Sequence, residues 1–424
     1  MRIDSRKLKK NKSKLPKKTV IILLSLLLIN LTWLSIYLFF IRPQQLFANS
    51  ENNKGKFFKS EISLLYGYET RFNRVIKDEN QILAVGSFLK NSSEKYQIVI
   101  VSLDNDGKEK WRREFGGSGD EWGFDILKNG DNYLVLGVTS SKEFGVKGRY
   151  DVLLVLIDSR GNILWNRVYG GPDWDRAYKI LKVKGGYVFV GDNYMKGGDV
   201  FENFGGHDYW IVKVNEMGDL IWSKSFGGTR WDRAYSADYD PENDIIVVTG
   251  FSNSFTDGIR YDGYTIAYDS EGQKLWECAF LNLSSIFPLD ICISKSGIFV
   301  GGYIYENGKE KSFVAKISKL GSVDYIKTFS ENTRINSLKV IQDDEEKIAI
   351  VFSGYKDTGT KQLWHGQLIL PSGLENSQPV LIEYPIQSSY GLFLSTCLDD
   401  EFVFLTGTNL VNGRMVGYIR AFPR

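Results

Sequence analysis

A short phrase recurs along the chain and limits what it can fold into. It runs Asp104-x-x-Gly107-x-x-x-Trp111, Asp158-x-x-Gly161-x-x-x-Trp165, Asn215-x-x-Gly218-x-x-x-Trp222 and Asp269-x-x-Gly272-x-x-x-Trp276, with a worn copy at Ser318, Gly321 and Tyr325. A second phrase follows each tryptophan closely: Phe115-Gly116-Gly117, Tyr169-Gly170-Gly171 and Phe226-Gly227-Gly228, with degenerate counterparts near Tyr66, Phe280, Phe329 and Tyr384. These seven aromatic markers are 49, 54, 57, 54, 49 and 55 residues apart. A fixed period of this length means a repeat architecture, in which no unit buries its apolar surface alone.

Within a unit the pattern is of short strands. The best-kept copy gives strands over 177–183, 187–191, 209–214 and 220–226, broken by Gly185-Gly186, a long polar loop and Gly218. Apolar alternation, β-branched and aromatic enrichment, and glycine or aspartate at the breaks favour strands. Four antiparallel strands per unit, seven times over, predict an all-β fold: a seven-bladed β-propeller of four-stranded antiparallel blades. A linear stack of the same units is the alternative. The chain ends supply a further expectation. Only three strands follow the seventh marker, about 388–397, 402–407 and 415–422, whereas residues 62–66 match the outer-strand type. That first strand is expected to complete the last blade and close the ring.

The repeats resemble those of the bacterial quinoprotein-like (PQQ-like) propellers, in which a strand ending in Asp turns through Gly into a strand carrying Trp, as from Ile157 through Asp158 and Gly161 to Trp165. They look still more like uncharacterised propeller repeats with the spacing Asp-x-x-Gly-x-x-x-Trp-x-x-x-aromatic-Gly-Gly. The resemblance covers about residues 62–424 and implies a propeller. It allows a quinone-dependent dehydrogenase but does not select one, since the fold carries many activities.

Ahead of the repeats lies residues 19–41, a 23-residue run without a charge. At about 1.5 Å per residue it spans a ~30 Å hydrocarbon core with some tilt. Nine Lys and Arg precede it, which by the positive-inside rule keeps residues 1–18 cytoplasmic and delivers the rest to the other side. A cleaved signal peptide is the competing assignment, but the run is long and Leu46-Phe47-Ala48 matches a cleavage site poorly. The expected organisation is a basic cytoplasmic tail (1–18), a transmembrane signal anchor (19–41), a linker (42–61) and an extracytoplasmic propeller (62–424), single-pass in the cell membrane.

The formal net charge of +2 hides this division. Residues 1–50 hold ten basic groups and one acid, so the remainder has 43 basic against 50 acidic groups, a net of −7. Such a propeller lacks the basic footprint of a nucleic-acid binder. Two histidines, His207 and His365, exclude a multi-histidine metal centre. Three cysteines permit one disulfide at most. No metal or cofactor is expected.

Trp111, Trp165, Trp222 and Trp276 are expected to pack between blades, one large ring per unit. The Asp-x-x-Gly phrase suits a hairpin turn better than a calcium loop, whose alternating oxygen ligands are missing. After each Gly-Gly comes an acidic, aromatic stretch containing Glu121, Trp174-Asp175-Arg176 or Trp231-Asp232-Arg233. Glu121, Asp175 and Asp232 are equivalent and are expected near one mouth of the channel. With Arg176, Arg233, Trp174 and Trp231 they form a candidate patch for a sugar, peptide or protein. Alternatively, the acids cap loop amides and pair with the arginines. The loops 139–150, 192–207 and 251–261 offer a second candidate surface through Phe201 and Phe204, with Phe255 also exposed. His207 is expected as a lone surface histidine, because neighbours in a strand point to opposite faces and Asp208 matches Asp151 and Asp262.

The function expected from these features is a membrane-anchored scaffold that binds a protein or glycan partner in the cell envelope. A quinoprotein dehydrogenase or a carbohydrate-active enzyme using Glu121, Asp175 and Asp232 is the alternative.

Overall fold

The computed structural model describes residues 61–79, 81–280, 284–344, 347–371, 379–385 and 391–423. The expected anchor at 19–41 lies outside the described residues, as do the basic tail and most of the linker. Among the described residues no helix is long and apolar enough to cross a membrane.

The chain begins with β1 (Glu61–Leu64). Blade 1 is β2 (Glu69–Asp78), β3 (Gln81–Leu89), β4 (Tyr96–Leu103) and β5 (Glu109–Phe115). Blade 2 is β6 (Glu121–Asn129), β7 (Asn132–Thr139), β8 (Asp151–Ile157) and β9 (Ile163–Tyr169). Blade 3 is β10 (Arg176–Val183), β11 (Gly186–Asn193), β12 (Asp208–Val214) and β13 (Leu220–Phe226). Blade 4 is β14 (Asp232–Asp240), β15 (Ile245–Ser252), β16 (Asp262–Tyr268) and β17 (Lys274–Phe280). Blade 5 is β18 (Ser285–Ser294), β19 (Gly297–Glu306), β20 (Lys309–Ile317) and β21 (Val323–Glu331). Blade 6 is β22 (Thr333–Asp343), β23 (Lys347–Asp357), β24 (Lys361–Pro371) and β25 (Val380–Pro385). Blade 7 is β26 (Gly391–Leu398), β27 (Phe402–Val411) and β28 (Arg414–Pro423).

The fourth strand of blade 7 is β1, which pairs antiparallel with β28, Ile62 opposite Ile419. Seven four-stranded antiparallel sheets result, and the ring is sealed by its first strand. Closure leaves no blade incomplete.

Seven hydrophobic clusters hold the ring, one at each seam between neighbouring blades. Middle strands are covered on both faces, so β8 reads DVLLVLI and is buried along its whole length. Each large side chain withdrawn from water there contributes roughly 2 kcal/mol. The seam between blades 7 and 1 joins Ile62, Phe404 and Ile419 to Phe72 and Val75, which ties the two chain ends into one core.

One face, here called the bottom, carries the Asp-x-x-Gly turns. Asp158 Oδ1 accepts the amides of Arg160 and Asn162 at 2.9 and 2.8 Å, and Asp104, Asn215 and Asp269 act alike. The turn glycines have φ near +80°, a conformation that side chains resist. In blades 2 to 5 the turn sits on the tryptophan of the preceding blade. Trp111 Nε1 donates to Ser159 O and Trp222 Nε1 to Ser270 O, both at 3.1 Å. A Cβ on Gly161 would lie 2.8 Å from the Trp111 ring, and one on Gly321 2.7 Å from Trp276. The repeated tryptophan and the repeated glycine are therefore two halves of one contact between blades. The disulfide that three cysteines permit is absent: Cys278, Cys292 and Cys397 are free.

Candidate binding face and central funnel

Antiparallel alternation brings two sets of connections to the opposite, top face: those from outer to next inner strand, and the long loops between second and third strands. Both candidate surfaces of the sequence thus lie on one side. The residues nominated there divide into three groups.

Glu121, Asp175 and Asp232 are fully buried. The Gly117 amide donates to Glu121 Oε2 at 2.8 Å, Gly171 to Asp175 Oδ2 at 2.6 Å and Gly228 to Asp232 Oδ2 at 2.8 Å. Thr70 fills the same place in blade 1, its Oγ1 accepting the Tyr66 amide at 2.7 Å. These side chains cap the turn four residues before them. They do not pair with the adjacent arginines.

Arg176 and Arg233 instead converge on Asp192, at the end of β11, at 2.9 and 3.1 Å. Tyr178 Oη donates to the same carboxylate at 2.9 Å, and His207 Nδ1 lies 2.7 Å from it. Burial alone raises the Asp192 carboxyl, but the His207 hydrogen bond and the charges of Arg233 and Arg176 outweigh it and bring it down to about 2. His207 is accordingly no surface histidine: it is 6% exposed and lies between the rings of Tyr194 and Trp231, each 4.8 Å away. The expectation failed because the partner is distant in sequence and comes from the second strand. Trp174 packs on Tyr150 at 4.7 Å in the equivalent place, and Tyr150 stacks on Trp122 at 5.2 Å.

Phe201 and Phe204 stand away from this cluster on the β11–β12 loop, 48% and 52% exposed, with Trp231 similarly open at 49%. Phe255 is half exposed and packs on Phe226 and Tyr264.

The central funnel of this face has a signal that the tandem phrases hide. Every inner strand carries a β-bulge at the same place, at Asn73, Phe124, Tyr178, Tyr235, Leu289, Asn336 and Leu394. Opposite each bulge the second strand has a glycine: Gly86, Gly137, Gly191, Gly250, Gly302, Gly354 and Gly407. A Cβ on Gly191 or Gly250 would strike the carbonyl oxygen of Arg176 or Arg233. The bulge adds a residue and re-aims its side chain, here into the central channel. This glycine persists in all seven second strands, including the blades whose tryptophan phrase has decayed. It was the sequence signal for the channel lining.

The channel opens at the top as a cavity of about 440 Å³, lined by Asn73, Phe124, Tyr178, Tyr235, Phe251, Phe287, Tyr303, Arg334, Asn336 and Leu394 among others. Its rings form a continuous ladder. Phe124 meets Tyr178 edge-on at 5.2 Å, Tyr178 stacks on Tyr235 at 5.3 Å, Phe251 touches Tyr235 and Phe287, and Phe287 stacks on Tyr303 at 4.7 Å. Arg334 lies 3.8 Å over Tyr303 and pairs with Glu310, which also accepts Tyr355 Oη at 2.5 Å. Asn73 Nδ2 and Asn336 Nδ2 bond the Gly123 and Phe393 carbonyls at 2.6 and 2.7 Å, which holds adjacent inner strands together.

Below the rings a polar floor crosses the channel. Asp125 pairs with Arg74 at 2.8 Å and Lys179 at 3.3 Å, and Arg74 donates to Ser395 at 3.2 Å. Asp290 accepts Ser236 at 2.7 Å, Ser337 at 2.8 Å and the Leu338 amide at 3.0 Å. Burial pulls the Asp125 carboxyl up, but Arg74 and Lys179 prevail and hold it below its ordinary value. All seven inner strands contribute to this layer, so the funnel has a fixed base.

No protein-family model and no curated protein matches the chain. Solved structures share its fold. Drosophila Plexin A, in complex with Semaphorin 1b, is 10% identical over 86% of this chain and 88% of that one, with a TM-score of 0.50. Sqt1 from Chaetomium thermophilum is 12% identical over 86% and 99%, at 0.48. The β-propeller domain of the Trilobed protease from Pyrococcus furiosus is 11% identical over 85% and 96%, at 0.45. This chain has the β-propeller fold.

Proposed function

We propose that the protein is a membrane-anchored, extracytoplasmic propeller that binds a glycan in its top-face funnel. The observation that carries this reading is the aromatic ladder from Phe124 to Tyr303, set in a cavity of sugar-binding size and bordered by Arg334 and the Asp192 cluster. Rings offer the C–H faces of a sugar an apolar surface, while fixed charged groups orient its hydroxyls. A floor bonded to all seven blades keeps such a site preorganised.

Residues 19–41 serve as the signal anchor in this proposal, and the repeats' resemblance to bacterial quinoprotein-like propellers agrees with an envelope location. Because β1 runs antiparallel to β28 as an outer strand, the chain joins the ring at its bottom rim. The funnel therefore opens on the face opposite the rim where Glu61 begins the closing strand. Binding is favoured over glycoside cleavage because Glu121, Asp175 and Asp232 are buried and engaged as caps. A protein partner is the second reading, supported by the exposure of Phe201, Phe204 and Trp231 on the top face.

The test is retention of the full-length chain, in nanodiscs, on arrays of envelope polysaccharide fragments. Tyr235→Ala and Phe287→Ala are each expected to weaken retention about fivefold or more, since a stacked ring is worth about 1–3 kcal/mol. No retention by the unaltered chain, or retention indifferent to both substitutions, overturns the glycan reading.

A further inference from the structure

Two successive seams on the top face contain a feature that caps do not require. Asp151 opens β8 in blade 2, and Asp175 caps the turn leading into blade 3. Both carboxyls press on Gly170, where a Cβ would meet Asp151 Oδ1 and lie 3.0 Å from Asp175 Oδ2. At the next seam Asp208 and Asp232 press in the same way on Gly227. All four aspartates are fully buried, and Oδ1 of each has no hydrogen-bond partner among the described residues. Two acceptors without a proton cannot bond to each other, and a buried acceptor left unsatisfied is costly.

We infer that each pair is closed by one shared proton, so that the seams between blades 2 and 3 and between blades 3 and 4 lock when protonated and loosen when the proton leaves. The surroundings favour a proton over a metal cation. Asp151 is faced by the amides of Lys147 and Gly148, and Asp175 by those of Gly171 and Tyr194. The charged groups near this first pair are Lys147, whose ammonium pairs with Asp199, and the carboxylates Asp199 and Asp192. Asp208 is faced by the Phe204 and Gly205 amides, and Asp232 by Gly228 and the hydroxyls of Ser252 and Ser254. The phenols of Tyr209 and Tyr264 complete the surroundings of the second pair. Apart from the carboxylates Asp199 and Asp192, these groups are N–H and O–H donors, which steady a singly charged pair, whereas a hard cation seeks several oxygens.

Burial and the neighbouring carboxylates push Asp175 and Asp208 up to about 7, and burial pushes Asp151 to about 6. Asp232 rises for the same first reason. The sign follows from linkage. Below pH 4 both folded and unfolded chains are protonated at these sites. Between pH 4 and about 7 only the folded pair keeps its proton, so the pair's contribution to stability falls as pH rises and then levels off. The loops attached to the pairs, at residues 147–150 and 204–207, border Trp174 and Trp231. The consequence is a proton-dependent stiffness of the top face, whatever the funnel binds.

Asparagine mimics the protonated partner, since its amide donates to the facing carboxylate. Asp208→Asn and Asp175→Asn in the full-length chain are expected to melt with the unaltered protein at pH 4 and about 5 °C above it at pH 8. A difference that stays constant from pH 4 to 8 overturns the inference. A second readout does not depend on the variants folding equally well. Infrared spectra of the unaltered chain in a carbonyl-free amine-oxide detergent should show a protonated carboxyl band that disappears with a midpoint near pH 7. Absence of that band at pH 5.5 overturns the inference as well.

Discussion

The two faces of the propeller are built by opposite rules. On the bottom, one contact is repeated: a tryptophan of one blade lies under the glycine turn of the next, from Trp111 and Gly161 to Trp276 and Gly321. On the top, equivalent positions diverge. The cap is Thr70, Glu121, Asp175 or Asp232, and the bulge presents Asn, Phe, Tyr or Leu. Uniform residues sort to the ring's construction and divergent ones to the face proposed for recognition. Repetition within a chain therefore marks what every blade needs, and departures from it mark what the assembly does with the scaffold.

That contrast can be broken by mutation. Gly250→Ala should be the most damaging change, at about 4 kcal/mol or more, because its Cβ collides with the Arg233 carbonyl and the bulge cannot form. Denaturant unfolding measures it, and a mild effect would mean that the bulge does not depend on glycine. Trp222→Ala comes next, at about 3–5 kcal/mol from lost packing on Gly272 and the lost bond to Ser270. It should destabilise the ring and leave glycan retention by the folded fraction unchanged. A specific loss of retention would erase the division between faces.

Asp192→Asn should cost about 3 kcal/mol, since Arg176, Arg233 and His207 lose a buried partner. Asp192 also supplies a pH signature. Its carboxyl is held near 2 in the fold, below its unfolded value near 4. Its contribution is complete above pH 4 and is lost as pH falls toward 2. Melting curves between pH 5 and 2 should be flatter in the variant. The smallest effect on stability, within about 0.5 kcal/mol, is expected for Phe201→Ala with Phe204→Ala, because both rings are exposed. Pull-downs from solubilised membranes with this double variant separate the two readings of the top face. Lost protein capture with intact glycan retention would assign the loop to a protein partner.

Much of the architecture was legible in the chain. The Asp-x-x-Gly-x-x-x-Trp phrase and the aromatic markers implied seven units, and the surplus strand near residue 62 implied how the ring closes. Those signals are local, because a hairpin turn and an apolar period are written in neighbouring residues. Less of the site was legible. The stretch around Asp175 and Asp232 was visible, yet the arginines beside them turn to Asp192, and His207 enters the same cluster from a loop. No spacing rule joins residues 176, 192, 207 and 233, because they meet only after two blades have packed.

By itself the sequence determined the repeat, the number of blades, the closing strand and the turn chemistry, since each depends on the period of one segment or on the conformation one residue allows. Tertiary structure decided which residues face the channel, which carboxyls pair across a seam and which charges neutralise one another. Those outcomes depend on what a neighbouring blade places within a few ångströms, and burial then sets how strongly each group is felt.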